Sequence, residues 1–312
     1  MTESGKLSVS SLTSIAEIDA GDIATIYELA TRVKRDRATF PKALADRHVA
    51  MLFEKESLRT RVTFDVGIRE LGGSAVFMDH EVVRLGARES LKDVARNLSR
   101  WVHCVVARTY RHRTVKELAK HAQIPVINGL TDYLHPCQGL TDFFTLTELW
   151  GDVKGKWLAY VGDGNNTCHS LIHAAAVLGC DIRVASPEGY EPNSRVVNQA
   201  MRLSSASGAE ITILEDPGEA VEGVDCVYTD TWASMGQEEE TEERAEVFAA
   251  YQVNDGLMAR AKAGAVFLHC LPAHREDEVT SAILDSEISK VYQNAENRLH
   301  VQKAIMLLLM QG

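Results

Sequence analysis

A chain of 312 residues exceeds what one compact core usually organises, so two domains of ordinary size are expected. Hydrophobic residues make up 45% and charged residues 25%, with only 7 prolines, which excludes a collagenous, low-complexity or largely disordered chain. A formal net charge of -11 argues against a nucleic-acid binder, so any anion site must be made locally.

Met1 to Lys6 lack the basic start and apolar core of a secretory signal. Asp22 to Arg35 has the spacing of an amphipathic helix, and His48 to Phe53 reads as a buried strand. After Ser57 the apolar positions Leu58, Val62, Phe64, Val66, Ile68 and Leu71 predict a packed helix ended by Gly72-Gly73. Ser74 to Met78 is the next strand, Ser90 to Arg100 a helix, Cys104 to Ala107 a strand, Val115 to His121 a short helix and Pro125 to Asn128 a strand, with Gly129 to His135 as its loop. Pro136 to Leu149 is one uninterrupted helical pattern. The alternation then restarts, with strands at Lys156 to Val161, Asp181 to Ala185, Ile211 to Leu214, Cys226 to Thr229 and Val266 to His269, and helices at Cys168 to Leu178 and Ser194 to Ser207.

Such βα alternation predicts an α/β chain of two doubly wound parallel-sheet domains joined by a long helix. We place the boundary at 148, giving domains 1–148 and 149–298, and Leu299 to Met310 is apolar enough to need the first domain as a packing surface. The last apolar run, Ala304 to Met310, is too short to span a bilayer. Six cysteines, at 104, 137, 168, 180, 226 and 270, form no C-x-x-C pair, which points away from a zinc or disulfide framework and towards a reducing cytoplasm.

Chemistry is expected where parallel strands end. Ser57-Leu58-Arg59-Thr60-Arg61 puts two guanidinium groups and two hydroxyls at a strand-to-helix turn, where helix-start amides favour an oxyanion such as phosphate; in isolation the same residues read as a capping serine with solvated arginines. Arg108 follows one strand, and His135-Pro136-Cys137-Gln138 follows another strand and its loop. Each alone is consistent with a surface arginine and a structural histidine. Val161-Gly162-Asp163-Gly164-Asn165-Asn166 partly imitates a dinucleotide fingerprint, but Thr167 stands where the third glycine belongs and no acidic residue closes the next strand. Asn165 and Asn166 instead offer amides suited to an amino acid's carboxylate or amine. Asp230 supplies a carboxylate for an ammonium group, and the acidic run Glu238 to Glu243 suits a mobile lid. His269-Cys270-Leu271-Pro272 closes the last strand, where a thiol beside a histidine invites a nucleophile reading and an inert buried cysteine competes with it.

Six segments in this order, Phe53 to Arg61, His135-Pro136-Cys137-Gln138, Asp163-Gly164-Asn165-Asn166, Asp230 with Ser234-Met235-Gly236, His269-Cys270-Leu271-Pro272, and Glu296-Asn297-Arg298, resemble the ornithine carbamoyltransferases across nearly the whole chain. The resemblance implies that Ser57, Leu58, Arg59 and Thr60 hold the phosphate of carbamoyl phosphate together with Arg84 and Arg108. It places His135, Pro136, Cys137, Gln138 and Arg298 at the carbamoyl group or its phosphate ester, helped by Cys270 and Leu271. Asn166, Asp230, Ser234 and Met235 would hold ornithine, and the catalytic roles fall to Arg108, His135, Asp230 and Cys270. Direct attack of the neutral side-chain amine on the carbamoyl carbon would give citrulline and phosphate and would require no metal or organic cofactor. A homotrimer with sites between subunits is the family's habit, and arginine biosynthesis is the expected setting; the cytoplasm follows from the cysteines, and neither nucleic acid nor membrane is an expected partner given the charge and the short apolar runs.

The chain departs from the family where Arg84 precedes Leu85-Gly86 and Arg88 precedes Glu89-Ser90, positions usually held by glutamine and glycine; Leu58 also replaces a frequent threonine. The two cations motivate an alternative amine substrate, putrescine or an N-acylated ornithine. A nicotinamide-dependent oxidoreductase using Gly162 to Asn166 and a non-catalytic binding relative are the remaining readings.

Overall fold

The computed structural model describes residues 5–79, 85, 86, 89–233 and 241–310. Contacts divide the chain into two units, Met1–Thr141 with Glu296–Gly312, and Asp142–Ala295. Both crossings fall inside helices, where composition does not change, and they lie a few residues from the divisions at 148 and 299 drawn from sequence.

In the first unit, helices α1 (Ala20–Arg35), α2 (Leu58–Glu70), α3 (Leu91–Trp101) and α4 (His112–His121) alternate with strands β1 (His48–Phe53), β2 (Ser74–Met78), β3 (Cys104–Arg108) and β4 (Val126–Leu130). The strands form one parallel sheet in the order β2-β1-β3-β4. Parallel strands covered on both faces read as continuous apolar runs, and β1 and β3 are buried almost throughout. Ala95 and Leu98 of α3 and Val115 and Leu118 of α4 close the core over Ala50, Leu52, Val105 and Val126. Helix α1 begins with a capping box in which Asp19 and Asp22 satisfy each other's backbone amides. At the other end of α2, Gly72 adopts φ +85, and a β-carbon there would meet the Pro41 carbonyl oxygen at 2.6 Å, so glycine is required.

Two expectations shift here. Arg108 is the last residue of β3 rather than the first after it, and β4 extends through Leu130, which takes Gly129 into the strand. The cause is an irregular register, with Ala107 facing Asn128 and Arg108 facing Leu130.

Helix α5 (Pro136–Trp150) leads from the first unit into the second. There β5 (Trp157–Val161), β6 (Asp181–Ala185), β7 (Ile211–Leu214), β8 (Cys226–Thr229) and β9 (Val266–His269) make a parallel sheet in the order β7-β6-β5-β8-β9. Its helices are α6 (Asn166–Leu178), α7 (Ser194–Ser207), α8 (Pro217–Val221), α9 (Thr241–Phe248), α10 (Asp255–Met258) and α11 (Ser281–Leu284). The short α8, α10 and α11 escape a periodicity search because four or five residues do not complete a repeat. Trp232, Phe248, Tyr251 and Phe267 anchor the core.

Helix α12 (Val291–Met310) starts eight residues before the predicted segment and returns the chain to the first unit. It packs on α2 at Gly67, where an added β-carbon would lie 3.1 Å from Lys303 Cγ. The buried Lys303 ammonium donates to the Arg37 carbonyl at 3.0 Å and to Glu70 at 2.9 Å. Among the described residues no helix is long and apolar enough to cross a membrane.

Candidate functional site

Two clusters form at the carboxyl ends of the sheets, each where neighbouring strands belong to opposite halves of the winding: β1 beside β3 in the first unit, and β5 beside β8 in the second.

In the first unit, the chain leaves β1 at Phe53 and reaches Ser57, an extended N-cap whose hydroxyl accepts the Thr60 amide hydrogen at 3.1 Å. Leu58, Arg59 and Thr60 form the first helical turn, the place where backbone donors and the positive end of the helix dipole favour an anion. Arg108 is buried in the neighbouring strand, and its carbonyl accepts the Glu54 amide hydrogen at 2.8 Å, tying the two strand ends together. Arg298 arrives from α12 and donates from Nη2 to Thr60 Oγ1 at 2.7 Å. His135 stands just before α5, and its carbonyl accepts the Gln138 amide hydrogen at 3.0 Å.

The electrostatics of this cluster are those of an anion site. Burial, followed by the Arg298 and Arg108 guanidinium groups, holds His135 well below the usual imidazole range, so it is neutral near pH 7. Two buried cations and a neutral imidazole therefore share one space. Pro136 is the first residue of α5, and Cys137 points its thiol at the Asn128 carbonyl, 3.5 Å away. Burial pushes that thiol up to about 12, against the pull of Arg298, so it stays protonated. Arg61, grouped with Arg59 in the sequence motif, is engaged elsewhere: its guanidinium sits 3.7 Å from the Phe77 ring centroid.

In the second unit, Asp230 follows β8 and is the hub. Its Oδ1 accepts from the Cys270 thiol at 3.0 Å and from the Thr231 amide at 2.8 Å, and its Oδ2 accepts from Asn165 Nδ2 at 3.0 Å. Asn165 is also the N-cap of α6, its Oδ1 accepting the Thr167 and Cys168 amide hydrogens at 2.9 and 3.1 Å. The side chain read from sequence as a ligand for an amino acid is thus committed to holding Asp230 and the helix start, while Asn166 is the first helical residue.

Cys270 and Leu271 are placed by a pair the sequence did not connect. His269 Nδ1 accepts the Leu271 amide hydrogen at 2.8 Å, which fixes the tautomer, so Nε2–H donates to Glu278 at 3.1 Å; both residues are fully buried. Leu271 is held at φ +59, a conformation that costs a leucine about 1–2 kcal/mol and that the His269 acceptor stabilises. Asp230, His269 and Cys270 offer ligand atoms within 4.8 Å of one another, but both His269 nitrogens are engaged, so the donor set suits positioning rather than a metal.

Arg244 joins the same end of this unit from a position that no sequence motif marks. Its guanidinium donates to the Trp232 carbonyl at 2.8 Å, lies 3.3 Å from Asp163 and sits over Tyr190. Nothing in the local sequence marks it, because its partners lie 12 to 81 residues away along the chain. Arg84, Arg88, Ser234, Met235 and the start of the acidic run lie outside the described residues.

The comparisons agree with this division of labour. Residues 10–148 match the family model described as "Aspartate/ornithine carbamoyltransferase, carbamoyl-P binding domain", and residues 154–309 match "Aspartate/ornithine carbamoyltransferase, Asp/Orn binding domain". The chain is 49% identical to the ornithine carbamoyltransferase of Pyrococcus horikoshii over 271 residues, 87% of this chain and 86% of that one. It is 47% identical to that of Bacillus subtilis over 295 residues, 95% and 92% of the two chains. The structure of the ornithine carbamoyltransferase from Pyrococcus furiosus superposes with a TM-score of 0.94 at 46% identity, covering 97% of each chain.

Proposed function

Because the chain belongs to the aspartate/ornithine carbamoyltransferase family, we propose that it transfers the carbamoyl group of carbamoyl phosphate to the side-chain amine of L-ornithine, giving L-citrulline and phosphate. The observation that carries the reading is the buried Arg108, Arg298 and neutral His135 at the capped start of α2, a site built for a phosphate ester with a polar head.

In this reading the first unit binds carbamoyl phosphate. Ser57, Leu58, Arg59 and Thr60 receive the phosphate through hydroxyls and helix-start amides, and Arg59 and Arg108 balance its charge. His135, Gln138 and Arg298 donate to the carbamoyl oxygen. A neutral imidazole is suited to this task, since it donates through N–H without repelling the two guanidinium groups. Donors fixed before reaction need not reorganise as negative charge builds on that oxygen.

The second unit binds ornithine through Asn166 and Asp230. The attacking amine must be unprotonated, although free alkyl amines are mostly ammonium at pH 7. Its lone pair forms the new C–N bond, the tetrahedral intermediate collapses with cleavage of the C–O bond to phosphate, and phosphate departs with that electron pair. The amine's proton is lost towards the Asp230 and Cys270 pair. Cys270 orients and shuttles, and no covalent bond to sulfur is needed.

A homotrimer fits the exposure of Leu58 (74%) and Val62 (48%), one turn apart on α2, which suits contact with a second copy of the chain. Arginine biosynthesis is favoured because the Pyrococcus furiosus relative, 46% identical over 300 residues, is named anabolic. A cytoplasmic setting suits six cysteines in free form. The test is an amine panel: purified protein with carbamoyl phosphate and ornithine, putrescine or N-acetylornithine, scored for carbamoylated product. Turnover with putrescine or N-acetylornithine equal to that with ornithine overturns the assignment.

A further inference from the structure

Arg108 and His135 leave neighbouring strands, yet the irregular register at Ala107 and Arg108 means that sheet hydrogen bonding alone does not fix one against the other. What joins them is a knot of bonds between the segments that follow β3 and β4. The Thr109 amide donates to the Leu130 carbonyl at 3.0 Å, and the Asp132 amide to the Tyr110 carbonyl at 2.9 Å. Across the same gap, the His112 amide donates to Asp132 Oδ1 at 2.9 Å, and His112 Nδ1 lies 3.2 Å from Thr131 Oγ1.

Thr131 is the centre of the turn that delivers His135. Its buried hydroxyl oxygen accepts the Tyr133 and Leu134 amide hydrogens at 3.2 and 3.0 Å, and its amide donates to the Leu134 carbonyl at 2.9 Å. The hydroxyl also lies in donating distance of the Leu134 carbonyl, at 3.2 Å, and the His112 imidazole reaches it from the β3 side. Its ring also packs against Tyr133, with centroids 5.6 Å apart. Lys116, Asp132 and Glu17 are the charged groups around it.

We infer that His112 is a positioning residue for carbamoyl phosphate, locking the Thr131–Leu134 turn so that His135 stands in register with Arg108. The inference deepens the proposed function and rests on it. His112 touches no substrate; it acts through Thr131. Substitution by glutamine preserves a side-chain partner for Thr131 Oγ1, whereas alanine removes both that partner and the Tyr133 contact.

The experiment compares His112→Ala, His112→Gln and Thr131→Val with the wild type by steady-state kinetics, by calorimetric binding of phosphonoacetamide, a stable mimic of carbamoyl phosphate, and by urea unfolding. His112→Ala is expected to weaken phosphonoacetamide binding and kcat/KM for carbamoyl phosphate by about tenfold, the order of one net hydrogen bond, with KM for ornithine within about twofold. His112→Gln should recover most of the loss. Thr131→Val and His112→Ala together should lose less than the product of their separate losses. Unchanged affinity and kcat/KM in folded His112→Ala overturns the inference, as does equal loss in the alanine and glutamine variants. Wild-type protein that binds phosphonoacetamide but carbamoylates no ornithine would instead overturn the functional reading, and the affinity comparison would still decide the role of His112.

Discussion

Asp230 gathers three donors on one carboxylate, and each has a different origin: Cys270 from the end of β9, Asn165 from the cap of α6, and Thr231 from its own loop. A carboxylate so held keeps its orientation when an amine arrives, which is the useful property for aligning a nucleophile. Cys270→Ser keeps a donor on Asp230, so citrulline formation should fall by no more than about tenfold, while Cys270→Ala should fall further. Equal and complete loss in both variants would support a covalent role for sulfur. Asn165→Ala removes the α6 cap and the Asp230 contact together, and should cost about 1–2 kcal/mol in urea unfolding besides lowering kcat. In the first unit, Thr60→Val removes an acceptor of Arg298 together with a hydroxyl of the proposed phosphate site, so KM for carbamoyl phosphate should rise about tenfold or more. A KM within about twofold of wild type would show that the Thr60 hydroxyl neither meets the phosphate nor is needed to place Arg298.

Helix α12 carries an unusual load for its position. Asn294, Asn297, Arg298, His300, Gln302 and Lys303 are all buried, although such residues normally mark a solvated face. Asn294 Nδ2 donates to Asp142 at 2.7 Å, Lys34 donates to Asn297 at 2.7 Å, and Lys303 bonds Glu70 and the Arg37 carbonyl. Burial alone would raise Glu70, but hydrogen bonds and charge from Arg37 and Lys303 hold its carboxyl below the ordinary range. Lys303→Met should therefore lower the stability read by urea unfolding by about 1–3 kcal/mol and loosen the last turn of α2. An unchanged midpoint would mean that Gly67 packing suffices. The first eight residues of this helix carry no helical signal in the sequence. Val291 to Arg298 has no apolar stripe of its own, because its inward face is polar and is satisfied by residues far away along the chain. By contrast α1 and α7 display their periodicity openly, since their buried positions are mostly apolar, Ile23, Ile26, Tyr27, Leu29, Ala30 and Val33 in the one and Val196 and Ala200 in the other.

Several histidines link the fold to pH. Burial, with Arg47 and His48 for His103, with Lys116 for His112, and with Arg298 and Arg108 for His135, pushes all three below the ordinary value of 6.5. Each is depressed in the folded state, so the unfolded chain binds more protons once the pH drops below about 6.5. Stability should be full above that value and fall progressively below it. Urea unfolding at pH 7.5, 6.5 and 5.5 measures this, and His103→Gln should flatten the dependence by one histidine's share. A flat wild-type profile across this range would contradict the assignment. Carbamoyl phosphate binding is expected to weaken in the same direction, because a protonated His135 would face two guanidinium groups.

The order of apolar runs, turn glycines and capping residues was enough to specify two parallel-sheet units and the ends of strands at which Ser57, Arg108, His135, Asp230 and Cys270 would lie, because periodicity and capping are local properties of the chain. Their chemical states were not local. Neutral His135, the tautomer of His269, the commitment of Asn165 to Asp230 and the diversion of Arg61 to Phe77 depend on neighbours brought from distant positions. Burial and the partner's identity set those properties, and only folding brings the partners within bonding distance.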